Sequence, residues 1–208
     1  MLDVSRLDLT AGVAGAGTMG RGIVQVLAQC GVRVKVFDAK PGAAQAAKDA
    51  IAQSLAGLAD KGRISKANAE ATLRRIDIVS ELAAFAPCHL VIEAIVEVLQ
   101  AKRELFTALE AIVGEECILA SNTSSLSVTA MAAGLGKPGR VAGYHFFNPV
   151  PLMKIVEVVG GVLTEEWVTE ALGALAKRYG HTAVTCRDTP GFIVNHAGRA
   201  FVPESLRI

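Results

Sequence analysis

Net charge, aromatic residues, cysteine and long apolar runs are all scarce in this 208-residue chain, and each scarcity removes a class of reading. Its 21 Lys and Arg face 20 Asp and Glu, a net charge of +1, so no global field recruits nucleic acid or an anionic membrane. A local basic patch for a phosphorylated ligand stays open. The four cysteines (Cys30, Cys88, Cys117 and Cys186) stand far apart, with no C-x-x-C and no histidine at metal-ligand spacing. Buried, reduced thiols are expected, with neither a metal nor a disulfide framework. No apolar run approaches the roughly 20 residues of a bilayer span. The opening Met1-Leu-Asp-Val-Ser-Arg6 has no apolar signal core, so a soluble cytoplasmic protein is expected. What is abundant is aliphatic: 51% hydrophobic residues and 20 glycines with only 5% aromatics describe an Ala/Val/Ile/Leu-rich α/β protein.

Strand and helix patterns alternate almost from the start. A short run, Thr10 to Ala14, meets a glycine cluster, and a helical pattern from Met19 to Cys30 is closed by Gly31. Val32 to Asp38 alternates with period two. Pro41 suits a helix first turn, opening an alanine-rich helix to Lys61. Further helices are expected over Ser65–Arg74, Gln100–Val113, Ser127–Ala133 and Glu165–Tyr179. Strands are expected at Ile76–Val79, His89–Glu93, Cys117–Ala120, Arg140–Phe146, Lys154–Val159 and Thr182–Cys186. This order implies a Rossmann-like, doubly wound and mainly parallel sheet with helices on both faces. Gly12 and Ala14 stand where bulkier residues pack better, which marks the first strand as locally weak. Residues 1–189 read as one domain, and a helical region starts within 190–208 as the link to something further.

Gly15-Ala16-Gly17-Thr18-Met19-Gly20 is G-x-G-x-x-G between a strand and a helix. The first glycine permits a tight turn, the second lets backbone approach a pyrophosphate, and the third lets helix pack on strand. The helix start then offers free N–H groups and a positive dipole end. Asp38 closes the next strand, 18 residues after Gly20, where a carboxylate accepts from both ribose hydroxyls and repels a 2′-phosphate. The reading is a dinucleotide site that prefers NAD to NADP.

Four further segments join polar residues to apolar strands: Val91–Glu97, Ser121–Ser125, His145–Pro149 and Gly191–Asn195. Imidazole exchanges protons near neutrality, which makes His145 a candidate acid–base group. Ser124 and Asn195 offer hydrogen bonds to an oxygen, and Glu157 can hold an imidazolium. His89, His181 and His196 read as structural, as does Glu93, an acid at a strand end.

Taken in order, the glycine loop, Glu93-Ala-Ile-Val-Glu97, Ser121-Asn-Thr-Ser-Ser-Leu126, His145-Phe-Phe-Asn-Pro-Val-Pro151, Lys154-Ile-Val-Glu157 and Asp188-Thr-Pro-Gly-Phe-Ile-Val-Asn195 resemble the NAD-binding domain of L-3-hydroxyacyl-CoA dehydrogenases. The resemblance is strongest to the 3-hydroxybutyryl-CoA and 3-hydroxyadipyl-CoA type and runs from Leu9 to the end. It implies that His145 is the general base toward the substrate C3 hydroxyl, oriented by Glu157. It implies that Ser124 and Asn195 hold the substrate oxygen, and that Glu97, Lys102, Ser124 and Asn148 line the NAD site. Ser54 and Lys61 match positions that contact coenzyme A in the acyl-CoA substrate. The resemblance also implies an all-helical C-terminal domain, absent from this chain, through which the parent protein forms a homodimer; the chain alone is then expected to have little activity. Other readings are a non-catalytic NAD-binding module and a dehydrogenase of a hydroxy acid that carries no coenzyme A, for which Ser54 and Lys61 are unnecessary. A Ser124-His145-Glu157 hydrolase is disfavoured, because Ser124 lacks a G-x-S-x-G elbow.

Overall fold

A computed structural model describes residues 2–207. Eight strands form one sheet: β1 (Thr10–Ala14), β2 (Arg33–Phe37), β3 (Ile76–Ile78), β4 (Leu90–Glu93), β5 (Ile118–Ser121), β6 (Val141–Phe146), β7 (Ile155–Gly160) and β8 (Thr182–Arg187), in the order 3-2-1-4-5-6-7-8. Every pairing is parallel except β6–β7. The expected doubly wound sheet is therefore present, with one antiparallel turn-back near its end.

Helices cover both faces. α1 (Thr18–Gln29), α2 (Ala43–Asp60), α3 (Lys66–Leu73) and α6 (Glu166–Arg178) pack on one side, with Ile23, Leu27, Ile51, Leu55 and Leu172 in the core. α4 (Leu99–Glu110) and α5 (Val128–Ala132) cover the other with Phe106, Leu109 and Met131. The pleat divides the strands between the layers: Leu90 and Ile92 face the first and Val91 the second. α7 (Val194–Ser205) follows β8. Arg75 and Arg178 cap the other end of α1, donating to the carbonyls of Ala28 and Cys30. No helix among the described residues is long and apolar enough to cross a membrane.

Three details differ from expectation. β1 is not weak: it lies between β2 and β4, and the ring of Phe85, in a short 3-10 turn absent from the sequence reading, lies flat against Gly12. A Cβ at Gly12 would meet that ring at 3.1 Å, tighter than an ordinary contact, so the glycine lets the ring lie close on the strand. Pro41 stands ahead of its helix, which begins at Ala43 after Gly42 in a left-handed conformation. Of the cysteines, all free, only Cys88 and Cys117 are fully buried, and burial pushes both thiols up to about 12.

Candidate active site

The order of connection reverses between β1 and β4, and the crevice outside the carboxyl ends of these strands is where open α/β sheets take ligands. Ala14 at the end of β1 pairs with Glu93 at the end of β4, which sets the glycine loop beside the Glu93–Glu97 segment. Gly15 has φ +102°, and a Cβ there would strike the Ala94 carbonyl oxygen at 2.4 Å. At Gly20 a Cβ would lie 1.8 Å from the Gly15 carbonyl oxygen. Gly17 differs, because nothing lies within 4 Å of where its Cβ would be. The fold does not need a glycine there, but a pyrophosphate approaching the backbone does. Gly17 caps α1 without any side-chain bond, and no acid stands in the first turn, so the N–H groups there face outward for an anion. Asp38 follows β2 directly. It accepts the Ala16 N–H at 2.7 Å on one oxygen and the Lys40 N–H at 2.8 Å on the other, so it braces the loop as well as facing the crevice. These residues fit a dinucleotide.

Past β4 lies a buried charge cluster. Lys102 is 1% exposed, and its ammonium sits 2.5 Å from Glu93 and 3.1 Å from Glu97. Glu93, itself fully buried, also accepts from Ile95 N–H at 2.7 Å and Ser121 Oγ at 2.6 Å. Glu97 accepts from Thr123 Oγ1 at 2.5 Å and from Ser124 N–H at 2.9 Å. Burial works to raise the Glu97 carboxyl, but these bonds and the Lys102 ammonium together hold it below the usual carboxylate range. Lys102 thus reaches the cavity wall with its charge divided between two acids.

His145 is the fifth residue of β6 and stands directly opposite Glu157 in the antiparallel β6–β7 pair. Its Nδ1 lies 2.6 Å from Glu157 Oε2, which leaves Nε2 as the ring nitrogen without a partner among the described residues. Glu157 Oε1 accepts the N–H groups of Ile193 and Val194 at 2.9 and 2.8 Å, so one carboxylate holds both the imidazole and the start of α7. Phe192, just before, is the single non-glycine residue with positive φ (50°) among the described residues, and its buried ring lies 5.7 Å from the imidazole. Phe147 flanks the imidazole at 4.5 Å. Asn195 Nδ2 donates to the Ser124 carbonyl at 3.0 Å, tying α7 to the loop after β5.

A cavity of about 500 Å³ opens over this assembly, lined by His145, Ser124, Asn195, Glu97, Lys102 and Asn148 among others. The structure therefore brings together all four residues singled out for chemistry and the three expected beyond the glycine loop. Ser54 is exposed on α2 and lines a second cavity, while Lys61 caps the end of that helix outside it. Sequence reasoning missed Phe147, Phe192, Thr123 and Asp188. Asp188 accepts from Ser127 Oγ and from the N–H groups of Val128 and Thr129, capping α5 from 60 residues away. An acid after a strand carries no signal of such a distant role.

The doubly wound order, the glycine loop at its switch point and the acid after β2 define an NAD-binding domain of the dehydrogenase type. Residues 10–189 match the family described as "3-hydroxyacyl-CoA dehydrogenase, NAD binding domain". The chain belongs to this family. It is 44% identical to a probable 3-hydroxybutyryl-CoA dehydrogenase of Deinococcus radiodurans, over 94% of this chain and 70% of that protein. It is 42% identical to the 3-hydroxyadipyl-CoA dehydrogenase of Escherichia coli, over 95% of this chain but 42% of the relative. Among solved structures, a 3-hydroxybutyryl-CoA dehydrogenase of E. coli superposes with a TM-score of 0.94 at 42% identity, covering 96% of this chain and 42% of that one. The (S)-3-hydroxybutyryl-CoA dehydrogenase of Ralstonia eutropha superposes with a TM-score of 0.91 at 37% identity, covering 94% and 69%.

Proposed function

We propose that the protein to which this domain belongs oxidises L-3-hydroxyacyl-CoA to 3-oxoacyl-CoA with NAD, in the cytoplasm. The observation that carries the proposal is the His145–Glu157 pair, whose free Nε2 borders the same cavity as Ser124 and Asn195. When bound, NAD accepts the hydride that leaves the substrate C3. His145 Nε2 takes the proton of the C3 hydroxyl, and Glu157 fixes the ring so that Nδ1 carries its hydrogen toward the carboxylate and Nε2 stays available. Ser124 Oγ and the Asn195 carboxamide hold the C3 oxygen in line, a contribution of position. Glu97, Lys102 and Asn148 border the nicotinamide end, with Asp38 and the glycine loop at the adenosine and pyrophosphate end. Ser54 and Lys61 meet the coenzyme A part, a lysine suiting its phosphates. Residues 190–208 lead to the remainder of the protein, and the relatives' names, each a dehydrogenase of a 3-hydroxyacyl-CoA, support the substrate class. A homodimer is the proposed assembly of the parent.

The test compares acetoacetyl-CoA with free acetoacetate as oxidant of NADH, for the full-length parent protein and its His145→Gln variant. Turnover of the thioester alone, falling about 10²–10⁴-fold in His145→Gln with unchanged NADH affinity, is expected. Equal use of free acetoacetate would transfer the domain to a hydroxy acid without coenzyme A. Near-normal turnover by His145→Gln would remove the base.

A further inference from the structure

Gln25 lies on α1 among Ile23, Val24, Val26 and Leu27, all buried and apolar. It is itself only 5% exposed, yet its carboxamide has no hydrogen-bond partner among the described residues. The carboxamide is not sealed off, since Arg140 Nε is the one fully buried side-chain polar atom without a partner among the described residues, so it is open to a ligand. Its remaining outlet is a cavity of about 510 Å³ between α1, α2 and the turn at Asn148–Pro151. That cavity is held in shape: Val150 presses on α1 so closely that a Cβ at Gly22 would lie 2.8 Å from its Cβ. Asn148 lines both this cavity and the one over His145, so the two adjoin at one residue. Ser54 stands on the α2 wall, and α2 ends two turns later at Lys61.

We propose that Gln25 binds a secondary amide in the carrier arm of the substrate, an assignment that rests on the acyl-CoA reading above. From its reactive end, an acyl-CoA presents a thioester, then secondary amides, then a diphosphate. The first cavity presents His145 with Ser124 and Asn195, and the second, which adjoins it at Asn148, presents Gln25 and Ser54, with Lys61 at the end of α2. A secondary amide has one donor and one acceptor, and a carboxamide answers both. An alkyl spacer would leave Gln25 unpaired, so the residue selects for the amide-bearing carrier over a plain thioester.

The experiment titrates the purified protein with coenzyme A, with pantetheine, which has the amides but no phosphate, and with NADH. Wild type is compared with Gln25→Met, Gln25→Leu and Lys61→Ala. In both Gln25 variants, affinity for coenzyme A and for pantetheine should fall together, by roughly three- to tenfold for one or two lost hydrogen bonds. NADH affinity should hold, and Tm should stay level or rise as an unpaired carboxamide is removed. Lys61→Ala should weaken coenzyme A alone. Wild-type pantetheine affinity in either Gln25 variant overturns the assignment, and so does a fall in Tm of several degrees, which would mean that the carboxamide is bonded within the protein. If coenzyme A binding still depends on Lys61 in that case, the acyl-CoA reading stands. A wild type that binds neither coenzyme A nor pantetheine overturns both.

Discussion

Glu157 holds His145 with one oxygen and the first backbone N–H groups of the α7 region with the other, so the imidazole and the helix are fixed by a single buried carboxylate. Its full burial leaves it no water to fall back on. Whatever shifts the start of α7 also shifts the group that fixes the ring. The left-handed backbone at Phe192, which costs on the order of 1 kcal/mol in a non-glycine residue, aims the next two N–H groups at that oxygen.

Glu157→Gln separates the two duties. The glutamine carbonyl oxygen can still accept from Ile193 and Val194, which places its NH₂ against His145 Nδ1. Nδ1 must then accept, the proton moves to Nε2, and the base is lost in its wrong tautomer. In the full-length parent, turnover should drop about 10²–10⁴-fold while the circular dichroism spectrum and NADH affinity hold. Turnover within a factor of ten of wild type would mean that the tautomer does not matter here.

Asp38 accepts the Ala16 and Lys40 N–H groups, which leaves lone pairs on both oxygens for a ribose diol and keeps a negative charge where a 2′-phosphate would lie. NADH should therefore bind more tightly than NADPH in a fluorescence titration. Asp38→Ala should narrow the gap, and it should also weaken NADH, because the brace on the glycine loop goes with the carboxylate. Tighter NADPH binding by the wild type would remove the role.

Much of this fold was legible because its strands are short apolar runs between helices with clear punctuation, such as Gly31 after α1. The glycine loop and Asp38 were legible because each residue type answers a single backbone or charge requirement. The direction of β7 was not. A strand buried on both faces carries no period that tells parallel from antiparallel, so nothing in Ile155–Gly160 announced that Glu157 would stand opposite His145. Gly12 misled for a related reason: its partner, Phe85, lies 73 residues away in a turn with no periodic signal. The hub formed by Glu93 and Lys102 was half legible, each residue by its motif and neither by its pairing.

Asp188 supplies a pH dependence with a definite sign. Burial works to raise its carboxyl, but the Thr129 and Val128 N–H groups and the Ser127 hydroxyl hold it below the usual range. A depressed folded value means that its stabilisation is complete above the unfolded aspartate value of about 3.9 and is lost as pH falls through the lower folded value. Asp188→Asn should cost about 1 kcal/mol as a weakened helix cap, or a Tm lower by about 2–4 °C at pH 7. The gap between the two proteins should hold down to about pH 5 and close below about pH 4. A gap that widens on acidification would contradict the assignment.

Lys102 poses the sharpest question about stability, because it is the cation between a fully buried acid and a partly exposed one. Lys102→Met keeps the length of the side chain and removes the charge. Glu93 then faces Glu97 with only Ile95 N–H and Ser121 Oγ to hold it, deep enough that water cannot replace the ammonium. Breaking a buried pair on one side typically costs about 3–5 kcal/mol, so Tm should fall by about 10 °C or more. Glu93→Gln added to Lys102→Met removes the stranded charge, and most of the lost stability should return. NADH affinity separates this structural role from a direct one. If the double variant regains its Tm but binds NADH weakly, Lys102 serves the cofactor site as well as the fold, either itself or through Glu97, which loses its ammonium partner in both variants. If it regains both, the ion pair serves the fold alone. A single Lys102→Met variant as stable as wild type would show that Ile95 N–H and Ser121 Oγ hold Glu93 without the ammonium, and the ion pair would carry none of the stability assigned to it here.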